Sequence, residues 1–137
     1  MAKPKIKPSN IKQGLKILVP EPINYDNYPP IFSLEKVQSG KYCFSNLNVE
    51  HKAKFADAIF KRKNILWKDI KNTGRHALGA EKIDKKSLKA PLPRFITDDF
   101  DDFLVFRYHG KNPMVGYRQR DVFYVLWFDH DFTLYNH

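Results

Sequence analysis

The clearest alternation of hydrophobic and polar positions lies in the C-terminal third of the chain. Three β-rich runs follow one another there, at residues 103–109, 114–120 and 122–128, and short polar links separate them. Consecutive short runs with tight links are typical of an antiparallel meander. The pattern therefore predicts three antiparallel strands, with residues 132–135 as a short fourth strand.

Helical periodicity is clearest in the middle of the chain. Ala53, Ala56 and Phe60 recur at three- and four-residue spacing, and Phe55 with Ile59 widens this apolar stripe, a pattern typical of the buried side of an amphipathic helix. Asn48 precedes this run, and asparagine is a favoured helix N-cap. We therefore predict a helix over residues 49–63 that packs on the sheet through this stripe.

A second, shorter helix is predicted directly after the first. Leu66 and Ile70 form an apolar pair at i,i+4 within residues 65–72, and Gly74 follows as a residue that ends helices. Because the link between the two helices is short, we expect them to form an antiparallel hairpin.

Residues 1–30 have a different pattern, with six of the nine prolines and many lysines. Proline removes backbone donors and blocks helix continuation, so we expect a basic, proline-rich arm that orders late or on a partner. A short strand at residues 31–37 is predicted to begin the ordered part. The predicted fold is a single α+β domain over 31–137, in which an N-terminal strand and a two-helix hairpin pack on a C-terminal antiparallel β-sheet of three to four strands.

The positive charge is concentrated in the middle of the chain. The formal net charge is +9, and residues 52–94 carry thirteen Lys and Arg against four Asp and Glu. A basic block on a folded domain attracts nucleic acid or acidic partners. A lysine-rich helix face that contacts only solvent is the alternative.

Composition narrows the classes of function. A single cysteine, Cys43, rules out an internal disulfide and the cysteine-rich zinc sites, and it indicates a reducing cytoplasm. The longest apolar run, Val122–Phe128, is too short for a membrane-spanning helix, so we expect a cytoplasmic protein without membrane association. The chain has no GxSxG, HExxH, Walker or GxGxxG motif, so serine-hydrolase, zinc-protease and nucleotide-binding templates are not supported.

Two strand arginines are the first candidates for a site. Alternation places Arg107 and His109 on one face of the first strand of the meander, and Arg118 and Arg120 on one face of the second. If the register brings the two faces together, Arg107 and Arg118 meet on one side of the sheet and bind phosphate. Ion pairs with nearby aspartates are the alternative, most strongly for Arg120.

The order of the predicted elements is itself informative. Strand, helix, helix, basic loop and antiparallel strands follow one another in a small basic chain that has one cysteine and a tail with aromatic and histidine residues. Over residues 31–137 this pattern resembles the RelE/ParE-like superfamily of bacterial toxins. The resemblance implies a metal-independent ribonuclease that cleaves messenger RNA, often on the ribosome, and that has a protein antitoxin. The run from Gly116 to Tyr135 is also similar to the C-terminal signature of small uncharacterised bacterial proteins.

The resemblance also implies roles for individual residues. Arg107 matches the strand position of a phosphate-stabilising arginine, and Arg118 is a second candidate. Tyr135 and His137 fall where some members place catalytic groups near the C-terminus. His76, in the basic loop, is a further candidate for the general acid or base. An exposed loop histidine and a mobile terminal residue are the alternatives for His76 and His137.

RNA contacts are expected from the basic loop and from the second strand of the meander. The candidates are Arg75, Lys82, Lys85, Lys86 and Arg120. We expect no cofactor. His130 between Asp129 and Asp131 suggests a metal site, but short aspartate-rich turns are more often plain turns, so no metal is expected either.

Three functions remain open from the sequence, in this order of preference. The first is a small RNA-cleaving toxin of a toxin–antitoxin-like system, which uses metal-independent acid–base chemistry. The second is a noncatalytic nucleic-acid or ribosome-binding module. The third is a protein-interaction component of a phage-defence system.

Overall fold

A computed structural model of the chain describes residues 20–71 and 78–137. The regular elements are, in chain order, β1 (Ile31–Ser33), α1 (Val49–Lys61), α2 (Trp67–Ile70), β2 (Glu81–Asp84), β3 (Asp102–His109), β4 (Asn112–Gln119) and β5 (Val122–Phe128). Single 3₁₀ turns lie at Tyr25–Asn27, Phe44–Asn46 and Lys85–Ser87. The class is α+β, as the pattern predicts.

The sheet has five strands in the order β1-β5-β4-β3-β2. Strands β3, β4 and β5 form the predicted antiparallel meander, β2 adds to it antiparallel beside β3, and β1 pairs parallel to β5. The predicted antiparallel sheet of three to four strands is therefore corrected to a mixed sheet of five. Residues 132–135 do not form a strand, because the Asp129 carboxylate accepts the N–H groups of Thr133 and Leu134 and turns the chain.

Helix α1 confirms the position of the first predicted helix and part of its predicted buried stripe. The side chain of Asn48 caps it by accepting the N–H of His51 at 2.8 Å. The buried residues of α1 are Phe55 and Ala58, whereas Phe60 is 64% exposed. Of the predicted stripe, Phe55 and Ile59 pack in the core, whereas Ala53, Ala56 and Phe60 are exposed.

The predicted two-helix hairpin is wrong. Its second helix is the four-residue turn α2, and α1 is the single helix of seven or more residues in the described part of the chain. Trp67 explains this outcome, because its indole Nε1 donates to the carbonyl of Asp121 at 3.0 Å and its backbone N–H donates to that of Tyr28 at 2.9 Å. These bonds tie α2 to the sheet and to the segment before β1.

The two faces of the sheet carry separate hydrophobic cores. The first face packs against α1 and α2, and the second face is covered by residues 85–100 and by the tail 129–137. The backbone N–H of Lys89 donates to the carbonyl of Leu134 at 2.8 Å, which joins these two covering segments. The buried residues of the second core are Phe103, Val105, Val115, Leu126, Trp127 and Leu134.

The segment before β1 contacts the first face. The Asp26 carboxylate lies 2.7 Å from Lys71 Nζ and 2.7 Å from Arg118 Nη2. Hydrogen bonds from Lys71 and then Arg118 hold the pKa of Asp26 below its usual range. The predicted division into an arm over 1–30 and a domain over 31–137 remains a prediction, and residues 1–19 lie outside the described part. None of the helices in residues 20–71 and 78–137 combines the length and apolarity that crossing a membrane requires.

Candidate active site

A cleft of about 510 Å³ opens on the second face, where the tail passes the end of the β3–β4 hairpin. It brings together three of the predicted catalytic residues, Arg107, Tyr135 and His137. Its other lining residues are Glu81, Val105, Lys111, Pro113, Phe132 and Asn136. The cleft therefore combines two cationic side chains, an imidazole, a phenol and one carboxylate, that of Glu81, on one small surface.

The hairpin supplies the two cations. Arg107 is half-buried on β3, where it shares the second face with Val105 by strand alternation. Lys111 follows Gly110, whose φ of +58° lies in the left-handed region that glycine adopts without strain. This turn places the lysine at the mouth of the cleft beside the strand arginine.

The tail is held by a buried carboxylate. Asp129 is fully buried directly after β5, and one of its carboxylate oxygens, Oδ1, accepts the backbone N–H groups of Thr133 at 2.9 Å and Leu134 at 3.2 Å. Phe132, with a φ of +62°, lets the chain reverse there. The tail then returns towards Asp129, so that His137 reaches the second carboxylate oxygen.

His137 is oriented by this carboxylate. Its Nε2 lies 2.9 Å from Asp129 Oδ2, and an ionised carboxylate only accepts hydrogen bonds. Nε2 therefore carries a proton, and Nδ1 is the ring nitrogen that takes up another. The rings of Tyr135 and Phe132 lie 4.2 Å and 5.1 Å from the imidazole, measured between centroids, and limit its rotation.

This arrangement fits acid–base chemistry on an anionic substrate. A histidine whose tautomer is fixed by a buried carboxylate acts as a general base. A guanidinium and an ammonium group stabilise negative charge that develops on a phosphate, and the guanidinium binds two phosphate oxygens at once. A tyrosine hydroxyl is a proton donor.

Arg118 is not part of this cleft. Val105 pairs with Val115 and Leu104 pairs with Gly116, so Arg107 lies on the second face and Arg118 on the first. The Arg118 guanidinium stacks over the Trp67 ring at 4.3 Å, in addition to its ion pair with Asp26. The structure therefore does not bring the two strand arginines together.

His109 also departs from its predicted face. The register of β3 and β4 shifts between Arg107 and His109, and this irregularity turns His109 towards α1. Its Nε2 lies 2.7 Å from Glu50 Oε2, and its ring centroid lies 4.7 Å from that of His51. Burial and then the neighbouring His109 lower the pKa of His51.

The residues predicted to bind RNA do not line the cleft. Lys82 faces a different cleft beside Trp67, and Lys85 donates from Nζ to the carbonyl of Asp98 at 2.9 Å. Lys86 is exposed on a 3₁₀ turn, and Arg120 forms the β4–β5 turn with a φ of +57°. His76, the remaining candidate catalytic residue, and Arg75 lie outside the described residues.

Sequence reasoning missed Asp129 and Lys111 as site residues. Asp129 is the first polar residue after the apolar strand β5, and a carboxylate at the end of a buried strand is a signal that it is buried with partners. Lys111 carried no such signal, because only the paired strands show that the hairpin turn meets the tail. Across residues 20–71 and 78–137, no group of three or more His, Cys, Asp or Glu side chains is placed to hold a metal ion.

Comparison with known proteins adds no neighbour. The chain matches no protein-family model, no curated protein and no solved structure. What the protein does is therefore inferred from the side chains of the cleft and from the charge of the chain.

Proposed function

We propose that the protein is a small RNA-cleaving enzyme, a toxin of the toxin–antitoxin type, and that the cleft of Arg107, Tyr135 and His137 binds the scissile phosphate. The observation that carries the proposal is the hydrogen bond from His137 to the buried Asp129, in a cleft that Arg107 and Lys111 also line. The net charge of +9 supports an RNA substrate.

In the proposed reaction His137 takes the proton of a ribose 2′-hydroxyl at Nδ1. The 2′-oxygen attacks the adjacent phosphorus, and the bond from phosphorus to the 5′-oxygen breaks. The leaving 5′-oxygen takes a proton from the hydroxyl of Tyr135, which recovers its proton from water, and His137 returns its proton to solvent. The products are a 2′,3′-cyclic phosphate and a 5′-hydroxyl.

Arg107 and Lys111 stabilise the transition state in this scheme. Negative charge grows on the non-bridging phosphate oxygens as the 2′-oxygen attacks, and two cations beside these oxygens lower the barrier. Removing one preorganised donor from such a site typically costs about 10²–10³-fold in rate. Asp129 keeps the imidazole in the tautomer that acts as a base.

The test is cleavage of a labelled single-stranded RNA by purified protein in the presence of EDTA. We expect cleavage by the wild type, a loss of about 10²-fold or more in Arg107→Ala, and wild-type rates in the matched control Arg94→Ala, which removes an exposed arginine outside the cleft. A 2′-deoxy substitution at the cleaved nucleotide abolishes cleavage there. Intact RNA after incubation with excess folded wild type would reject the proposal.

A noncatalytic nucleic-acid-binding module is the second candidate, because the basic block at residues 52–94 supports binding without chemistry. In that case the protein retains RNA with a strong salt dependence and releases no fragments. The same EDTA experiment, run with a binding readout beside the cleavage readout, separates the two functions.

A further inference from the structure

A second, smaller cleft lies on the other side of Arg107. Its volume is about 250 Å³, and it is formed between α1 and the end of the β3–β4 hairpin. Among its lining residues are the cations Lys54, Lys61 and Arg62, with His109 beside them, against one carboxylate, Asp57, and Arg107 borders it with its backbone carbonyl bonded to Arg62. Its lining is therefore strongly positive, and it shares Arg107 with the candidate active site.

Arg62 makes this cleft unusual. The residue is 2% exposed, and its guanidinium donates to three backbone carbonyls, those of Leu78, Ala58 and Arg107, at 2.9, 2.9 and 3.3 Å. These partners are neutral. Burial lowers the pKa of Arg62 to about 10, so the group stays charged at neutral pH.

Within the described residues no carboxylate lies at ion-pair distance from Arg62. The remaining segments, 1–19 and 72–77, contain neither Asp nor Glu, so they cannot supply one. A buried charge normally has a counter-charge, because removing a lone charge from water is costly. An anion bound in the adjoining cleft is the natural counter-charge for Arg62.

Two lysines extend this positive surface along α1. Lys54 and Lys61 are seven residues apart, which is two helical turns, so they lie on the same side of the helix. Both are exposed, and Asp57 lies between them. Their ammonium groups are able to follow a charged strand that leaves the candidate active site past Arg107.

We propose that this second cleft binds a backbone phosphate of the RNA strand next to the scissile one, which makes the substrate a single strand of several nucleotides and not a dinucleotide. The inference rests on the proposed function, because it takes the first cleft as the place of cleavage. Arg107 lies between the two clefts and contributes to both.

The test compares two double variants of full-length protein. Lys54→Ala/Lys61→Ala removes the two lysines of the cleft, and Lys52→Ala/Lys63→Ala removes two lysines from the same region that lie over the rings of Phe44 and Phe60 outside it. Arg62 is left unchanged, because its carbonyl bonds join the end of α1 to the sheet.

The binding probe is a labelled ten-nucleotide RNA with 2′-O-methyl sugars throughout, which lacks the attacking 2′-hydroxyl, titrated at several salt concentrations. We expect the cleft variant to weaken binding about tenfold or more, and its salt slope to fall by about 0.7 for each phosphate that the lysines no longer neutralise. The control should weaken binding less than about threefold, since its lysines lie outside the cleft and act on the RNA only through screened charge. Equal weakening in both variants would refute the site.

Inorganic phosphate is the second probe, because a free anion has the same chemistry as a backbone phosphate. If phosphate alone binds the cleft tightly and RNA affinity does not depend on Lys54 and Lys61, the cleft is an anion site unrelated to RNA and the inference is overturned.

The experiments distinguish failure of the proposed function from failure of this inference. RNA binding that depends on these lysines, without any cleavage, rejects the proposed function and keeps the second cleft as an RNA-binding site. Cleavage by the wild type, together with equal weakening of binding in both double variants, keeps the proposed function and rejects the second cleft.

Discussion

The two faces of the sheet each carry one strand arginine, and the surroundings of the two arginines differ. On the first face, Arg118 lines the cleft beside Trp67, where its guanidinium contacts the Trp67 ring and the Asp26 carboxylate and its Nε donates to the carbonyl of Arg120 at 2.6 Å. On the second face, Arg107 lines a cleft together with Lys111 and His137. Residue type alone does not distinguish a structural arginine from one that is a candidate for substrate binding.

What separates the two faces is how each is covered. The first face is covered by α1, α2 and the segment before β1, and the cleft that remains there, beside Trp67, is lined by Arg118, which is paired with Asp26. The second face is covered by a loop and by a tail that the buried Asp129 turns back, and this tail leaves a cleft at the end of the hairpin. We therefore expect substitutions on the first face to change stability, and substitutions around the second-face cleft to change activity.

The largest effect on stability is expected from Trp67→Ala. The side chain is 1% exposed and its indole N–H is bonded to the backbone of Asp121. Removing it leaves a cavity on the first face and an unpaired carbonyl, which should lower the free energy of unfolding by about 3–5 kcal/mol. Urea unfolding followed by circular dichroism measures this loss. RNA cleavage per folded molecule should stay near the wild-type value, and a selective loss of cleavage would contradict the division between the faces.

Asp129→Asn should show the opposite behaviour. The asparagine oxygen still accepts the N–H groups of Thr133 and Leu134, so the turn is kept. Its amide nitrogen donates to Nε2 of His137, which forces the ring proton onto Nδ1 and removes the base. We expect cleavage to fall by about 10²-fold or more, with a smaller loss of stability. The ¹⁵N chemical shifts of the His137 ring report the tautomer directly, and an unchanged tautomer would contradict the positioning role of Asp129.

Arg118→Ala should cost about 1–2 kcal/mol of unfolding free energy. The change removes a partly exposed ion pair and a cation–π contact, which are each worth about 0.5–1 kcal/mol. Thermal unfolding measures the loss, and Arg94→Ala is the exposed control. If Arg118→Ala instead abolishes cleavage without loss of stability, the arginine of the first face belongs to the reaction after all.

The smallest effect concerns pH. The folded pKa of Asp26 is lowered from 3.8 by Lys71 and Arg118, so its contribution is fully present above pH 3.8 and is lost as the pH falls through the folded pKa. The stability difference between the wild type and Asp26→Asn should be below about 1 kcal/mol at neutral pH. It should shrink as the pH falls below 3.8 and through the folded pKa of Asp26. Urea unfolding at a series of pH values tests this, and a difference that grows in acid would mean that the pairing is wrong.

The sequence predicts the meander well, because three consecutive strands of seven or eight residues leave a long alternating pattern. It predicts a strand where β1 lies but not the parallel pairing of β1 with β5, and it misses β2, an edge strand of four residues. It also misplaces His109, because a register shift turns a side chain to the other face without any sign in the sequence. The face of a strand residue near a hairpin is thus less predictable than the strand itself.

The candidate site shows the same limit. Arg107, Tyr135 and His137 are candidates from the sequence, Arg107 as a lone arginine in an apolar strand, and Tyr135 and His137 through the resemblance alone. Their meeting depends on the tail, and the tail turns back only because Asp129 takes two backbone N–H groups and one imidazole. Such a set of partners is a property of the folded chain, so residue types alone do not reveal it.

The most direct measurement is single-turnover cleavage of a labelled RNA in EDTA by the wild type, by His137→Ala and by His130→Ala. His130 is a matched control, a tail histidine whose Nε2 bonds to the carbonyl of Lys41 and which does not line the cleft. We predict fragments ending in 2′,3′-cyclic phosphate from the wild type and from His130→Ala, and a rate at least about 10²-fold lower for His137→Ala. Equal rates for the two histidine variants, or intact RNA with all three folded proteins, would contradict the assignment of this cleft as the site of cleavage.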